Sequence, residues 1–103
     1  MSGAANRASG EVGLILDGRS CVLRPSFAAL VAAEEELGPL LSLVERAAEG
    51  RIALGEIAVL FWHCVTGSDW EREALGEAIV MAGLARVMPA LRGVLQQILA
   101  GSP

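Results

Sequence analysis

The sequence predicts an α+β fold that is mostly α, with an N-terminal β-hairpin packed on a bundle of about four to five short helices. Hydrophobic residues make up 53% of the 103 residues, whereas aromatic residues make up only 4%. An apolar content built mainly from Ala, Leu and Val suits closely packed helices better than sheets. The apolar residues alternate before residue 25 and then recur at helical spacing, which predicts strands followed by helices.

The hairpin is predicted over residues 11–24. The dipeptide Asp17-Gly18 lies there between two apolar-rich runs, and it favours a type I′ turn, which needs positive φ at both central residues. A turn at this point also sets the register of the two strands. The predicted pairs on one face are Leu14 with Cys21 and Val12 with Leu23.

Caps and glycines mark the predicted helices. Ser26 is the expected N-cap of a helix from Phe27 to Leu37, and Gly38 ends that helix. Four further helices are predicted from Pro39 to about Ala48, from Ile52 to Thr66, from the capping box Ser68-Asp69-Trp70-Glu71 to about Ala82, and from Leu84 nearly to the end. We assign residues 1–10 to a flexible N-terminal tail and residues 11–101 to a single domain.

Charge and hydropathy argue against two classes of partner. The formal net charge is −4, and no run of Lys or Arg interrupts it, so we expect no binding to nucleic acid. The longest apolar stretch, residues 52–65, contains Gly55, Glu56 and His63 and is too short to cross a bilayer. We therefore expect a cytoplasmic protein that does not enter a membrane.

The sequence offers no site for catalysis, a cofactor or a metal. Trp62-His63-Cys64 places a His beside a Cys, but adjacent helical residues point about 100° apart and cannot act as a catalytic pair. A zinc site needs further ligands, and the chain has no second His. We expect no enzyme, no catalytic residue and no cofactor, and we interpret Cys21 and Cys64 as buried thiols, with a disulfide as the alternative.

A carboxylate and several large apolar residues are the candidates for partner binding. Glu34 falls inside the apolar stripe of the first helix, so it needs Arg24 or Arg46 as an internal partner, a solvated edge, or a contact with another protein. Trp62 and Trp70 are either core residues or the anchors of an interface. The candidate partner-binding residues are Glu34, Val59, Trp62, Trp70 and Met88.

Four motifs occur in a familiar order over about Gly10 to Gly101: the "LDG" turn, the "LRPSFAAL" entry into the first helix, its "EEELG" exit, and the "EAIVMAGL" step into the last helix. This pattern resembles the small tail proteins of gene transfer agents and of related siphophage-like prophages. That family is described as phage tail assembly chaperones and is also labelled tail tube proteins.

The resemblance implies a non-enzymatic factor that binds the tape measure protein and helps to bring tail tube subunits to it. The expected mechanism is an apolar groove on the third and fifth helices, ringed by carboxylates, that receives amphipathic helices of the partner. A structural tail tube subunit, a small-ligand-binding helical domain and a helix-turn-helix regulator are the alternatives. The exposed edge of the predicted hairpin could also pair with a second copy of the chain, so self-association is a further alternative.

Overall fold

The computed structural model describes residues 5–6, 10–67 and 69–101, and within them an N-terminal hairpin precedes five helices. The predicted α+β fold, mostly α, is confirmed. The strands are β1 (Val12–Leu16), β2 (Arg19–Leu23) and β3 (Val65–Thr66), and the helices are α1 (Phe27–Leu37), α2 (Leu40–Ala48), α3 (Leu54–Cys64), α4 (Arg72–Ala82) and α5 (Leu84–Ala100). Most of the predicted tail, residues 1–10, lies outside the described residues, and its assignment stays a prediction.

The hairpin has the predicted turn and register. Asp17 has a φ of 54° and Gly18 has a φ of 70°, the combination that a type I′ turn requires. Val12 pairs with Leu23 and Leu14 with Cys21 in the antiparallel ladder. The alternation of side chains then buries Leu16, Cys21 and Leu23 against the helices.

A third strand replaces the predicted end of the third helix. The sequence predicts a helix to Thr66, but α3 ends at Cys64, and Val65–Thr66 pairs antiparallel with β2. Both residues are β-branched and fit a strand better than a helix. The Thr66 hydroxyl also donates to the carbonyl of Val22 at 3.2 Å. Pairing of Val65–Thr66 with the free edge of β2 therefore ends the helix at Cys64.

Ser26 caps α1 as predicted, because its hydroxyl accepts from the backbone N–H of Ala29 at 3.2 Å. The fourth helix begins later than its sequence predicts, since Glu71 is the N-cap residue of α4 and the Asp69-Trp70 part of the predicted capping box precedes the helix. Ser68 lies outside the described residues. Trp70 is 8% exposed, so its packing in the core holds this part of the chain out of the helix.

The core lies around α3, which packs between α1 and α4. Leu60 and Phe61 of this helix are fully buried, and the burial of each such side chain contributes about 1.5–3 kcal/mol. Val59 and Trp62, on another side of α3, are half-buried, so neighbouring parts of the chain cover most of this helix. The last helix, α5, packs on β1 and closes the other side of the core.

No single helix in the described ranges is long and apolar enough to span a membrane; α4 and α5 pass this test only as a pair, which is bent by 118° at its break.

Candidate functional site

An open groove of about 430 Å³ runs between α2 and α5. We call it the α2–α5 groove. Its apolar lining consists of Val44, Ala47, Met88, Leu91, Leu95 and Leu99. Val44 and Leu91 are buried and form its floor, whereas Leu99 is 60% exposed at its mouth. The groove therefore offers apolar surface that the described residues do not cover.

The α5 wall of the groove is a regular stripe. Leu84, Met88, Leu95 and Leu99 recur at intervals of three to four residues or their sums, so they lie along one side of the helix. Leu84 is 47% exposed and extends the stripe beyond the groove towards the start of α5. At 1.5 Å per residue the stripe is about 22 Å long, which is sufficient for about four turns of a bound helix.

Glu34 helps to place the α2 wall. Its Oε2 accepts the backbone N–H of Leu40 at 3.0 Å, which satisfies one of the donors that a helix N-terminus leaves free. The sequence left Arg24, Arg46, a solvated edge or another protein as possible partners of this carboxylate. Its internal partner in the structure is the backbone at the start of α2, and neither arginine. The reason is positional, since the short turn at Gly38-Pro39 brings α2 back past the end of α1.

Arg46 instead joins α2 to α3. Its Nη1 and Nη2 donate to the two carboxylate oxygens of Glu56 at 2.9 and 2.6 Å, and Glu56 also accepts the backbone N–H of Ala53 at 2.9 Å. The guanidinium, and then the backbone donor, lower the pKa of Glu56 from 4.5 to about 2. This paired carboxylate holds the start of α3, which begins at Leu54 and not at the predicted Ile52, against the α2 wall.

A second polar cluster joins α1, α3 and α4 around Glu36. Arg72 donates through Nη1 to Oε1 of Glu36 at 2.6 Å and through Nη2 to Oε2, and the Nε2 of His63 lies 2.5 Å from Oε2. The Arg72 guanidinium also lies 4.4 Å from the ring centroid of Trp62, in cation–π geometry. Arg72, and then His63, lower the pKa of Glu36 from 4.5 to about 2. The contact between Glu36 and Arg72, which are 36 positions apart, could not be predicted from the local sequence.

The five predicted partner-binding residues lie in different environments. Met88 lines the α2–α5 groove, whereas Glu34 is exposed in the last turn of α1 and Val59 is half-buried on α3. Trp62 is half-buried, and its indole N–H donates to the carbonyl of Trp70 at 3.0 Å. Trp70 is buried, and the Arg19 guanidinium lies 3.8 Å from its ring centroid. The structure thus brings Trp62 and Trp70 together, and the partner-binding role of all five residues stays a prediction.

The most exposed apolar residues were not among the predicted ones. The exposed fractions are 86% for Phe27 on α1, 84% for Met81 at the end of α4, 68% for Ile15 in β1, 62% for Leu41 on α2 and 60% for Leu99 on α5. Helical spacing shows that such residues share a face, but it does not show whether another element covers that face. The predicted groove lay on the third and fifth helices; in the structure one wall of the groove is the fifth helix, and the other wall is α2.

Neither cysteine forms a disulfide: Cys21 and Cys64 are buried free thiols. Burial raises the pKa of the Cys64 thiol to about 12, so this thiol is protonated and a poor nucleophile. Among the residues described, no three His, Cys, Asp or Glu side chains lie close enough together to hold a metal ion.

Comparison with known protein families identifies a family for this chain. The model of the family described as "Phage tail tube protein, GTA-gp10" matches residues 9–101. No curated protein matches the chain significantly, and no solved structure does. The match covers the hairpin and all the helices on which the sequence resemblance depends. The chain therefore belongs to the phage tail tube protein, GTA-gp10 family of phage and gene transfer agent tail proteins.

Proposed function

We propose that this tail protein is an assembly chaperone that binds the tape measure protein through the α2–α5 groove and recruits tail tube subunits. The observation that carries the proposal is the apolar stripe of α5, half-buried at Met88 and Leu95 and exposed at Leu99, which forms one wall of an open groove. Grooves of this kind bind the apolar face of an amphipathic helix. Before assembly, a long helical protein would aggregate through the apolar faces of its helices. A chaperone that covers these faces would prevent this aggregation.

Three further features support this proposal. The net charge of −4 favours a soluble chaperone that acts in the cytoplasm and has no affinity for nucleic acid. The buried and protonated Cys64 and the paired His63 fit a role in binding without catalysis or a cofactor. Trp62 and Val59 would then support the fold beside the interface, and Met88 would contact the partner directly.

The alternative role, a structural tail tube subunit, is less well supported by the size of the sheet. A tube wall needs strands that continue from one subunit to the next, and the described residues form two five-residue strands and one two-residue strand. A small-ligand carrier is also less well supported, because ligand pockets enclose most of the surface of their ligand, and this groove has Leu99 exposed at its mouth.

The test is co-expression with the tape measure protein encoded in the same gene cluster. We expect a soluble complex with many copies of this chain per tape measure chain, as measured by size-exclusion chromatography with light scattering. The variant Leu99→Asp places a charge at the mouth of the groove and should lower the affinity about tenfold, because it removes apolar contact area and leaves a carboxylate against the apolar face of the bound helix. Phe27→Asp is the matched control, because Phe27 is 86% exposed outside the groove and its replacement should leave the complex intact.

Each alternative predicts a different result. A tube subunit would form rings or tubes by itself while the tape measure protein stays insoluble. A small-ligand carrier would stay a monomer and carry a bound small molecule, which native mass spectrometry would detect. A folded Leu99→Asp variant that forms the complex as well as the unmodified chain would rule out the groove as the binding site. Recruitment is tested by adding purified tail tube subunits to the complex and measuring their co-elution.

A further inference from the structure

The two walls of the α2–α5 groove end in opposite charges. On the α2 side, Glu45 is not part of the groove lining but lines the adjoining concavity together with Ala48, a residue that both concavities share, so it stands at the outer edge of the α2 wall. On the α5 side, Arg92 lines the groove between Met88 and Leu95. Both side chains are exposed. In the parts of the chain that the structure describes, neither of them has a hydrogen-bond or ion-pair partner.

These charges lie where the flanks of a bound helix would pass. A helix that places its apolar stripe in the groove has one flank along α2, near Glu45, and the other along α5, near Arg92. The flank along α2 therefore meets a negative potential, and the flank along α5 meets a positive one. Glu49, the residue that follows α2, lines the same adjoining concavity as Glu45, although it already pairs with Arg51 at 2.6 Å.

Opposite rims distinguish the two directions in which a helix can lie. If a helix is turned end for end with its apolar stripe still in the groove, its left and right flanks exchange walls. A helix with basic residues along one flank and acidic residues along the other therefore matches both rims in one direction and opposes both in the reverse direction. Like-charge contacts of this kind are an effective means of rejecting the wrong arrangement.

We propose that the α2–α5 groove recognises an amphipathic helix with one basic and one acidic flank, and that it binds this helix in a single direction. This inference rests on the proposed function, since it assumes that the groove binds a helix. Its consequence is that all copies of the chaperone on one long helical partner would have the same orientation. Surfaces outside the groove would then be presented to incoming subunits in a regular array.

A designed peptide of about 18 residues, or about 27 Å in helical form, provides the probe. It has leucine at heptad positions a and d, lysine at position e and glutamate at position g. One fluorophore is attached to its N-terminus in a first version and to its C-terminus in a second, and another fluorophore is attached to the whole chain through Ala100→Cys at the end of α5. Binding is measured by fluorescence anisotropy, and the direction of the bound helix by energy transfer between the two fluorophores, at low and at high salt.

We expect one direction of the bound peptide to be favoured by about five- to tenfold, because each exposed pair changes a binding constant by about two- to fivefold. One labelled version of the peptide should therefore show more energy transfer than the other. The double variant Glu45→Arg/Arg92→Glu exchanges the rim charges and should favour the opposite direction. The preference should shrink at high salt, because these charges are exposed. Both positions are on the surface, and circular dichroism verifies that the variant is folded.

The outcomes separate this inference from the proposed function. Equal energy transfer with both labelled versions would overturn the directional inference and leave the groove as a helix-binding site. A preferred direction that the double variant does not reverse would show that other residues set it, and it would also overturn the inference. If the peptide does not bind and Leu99→Asp has no effect on the tape measure complex, both the inference and the groove site fail.

Discussion

Replacement of Gly93 tests how closely the last helix packs on the hairpin. Gly93 lies in the middle of α5, and a Cβ built on it would lie 3.0 and 3.1 Å from the two γ carbons of Val12 in β1. Carbon atoms pack best at about 3.5–4.0 Å, so a methyl group at this position must displace Val12 or move the helix away from the sheet. Gly93 therefore allows a close approach that Ala does not.

Two effects oppose each other in Gly93→Ala. Ala gains about 0.8–1.0 kcal/mol over Gly in helix propensity, whereas overpacking of a well-filled contact costs about 1–3 kcal/mol. We expect the free energy of unfolding to fall by about 1 kcal/mol. The matched control is Gly76→Ala in α4, where a Cβ would meet no other described atom within 4 Å and only the gain in propensity remains. That variant should be more stable by about 0.5–1 kcal/mol.

The assay is urea unfolding followed by far-ultraviolet circular dichroism, with linear extrapolation to water. A double-mutant cycle with Val12→Ala isolates the contact, because removal of the γ carbons should relieve the clash. We expect a coupling energy of about 1 kcal/mol between the two positions. A Gly93→Ala chain as stable as the Gly76→Ala chain, or a coupling energy near zero, would refute this account of the packing.

Two further predictions follow from the polar contacts. Because Arg72 and Arg46 hold the pKa values of Glu36 and Glu56 at about 2, below the value of 4.5 for a free glutamate, the folded state is stabilised above pH 4.5. It should lose this stability as the pH falls from 4.5 towards 2. Urea titrations should show a smaller loss for Glu56→Gln, whereas the control Glu35→Gln should retain the whole loss. Trp62→Ala should lower the free energy of unfolding by about 2 kcal/mol and leave the domain folded, since the side chain is half-buried and packs against the core. Trp62→Phe, which keeps an aromatic ring but loses the donor to Trp70, should lose about 1 kcal/mol, and equal stability of both variants and the unmodified chain would contradict this account.

Features that depend on neighbouring residues could be predicted from the sequence. The positive φ angles of Asp17 and Gly18 follow from residue type, and the turn then sets the register of the whole hairpin. The hydroxyl of Ser26 reaches an amide three residues away, so its cap is visible in the sequence. Met88 belongs to the apolar period of the last helix and lines the groove, while its partner-binding role stays a prediction.

Features that depend on distant residues required the tertiary structure. Val65–Thr66 leaves its helix because the edge of β2 is available to pair with it, although the apolar pattern of α3 continues through this point. Trp70 precedes α4 because the core accepts its side chain. The carboxylates of Glu34 and Glu36 are almost adjacent in the sequence, yet the first caps α2 and the second binds Arg72.

The sequence alone therefore determined the composition of the elements and their apolar faces, since caps, turns and periodicity act over a few residues. Only the tertiary structure decided which of those faces remain uncovered. The stripe of α5 is apolar on any helical wheel, but its accessibility depends on how far α2 extends across it. The placement of Glu45 and Arg92 on opposite rims has the same origin, because two surface charges acquire a joint role only when folding sets them on either side of one groove.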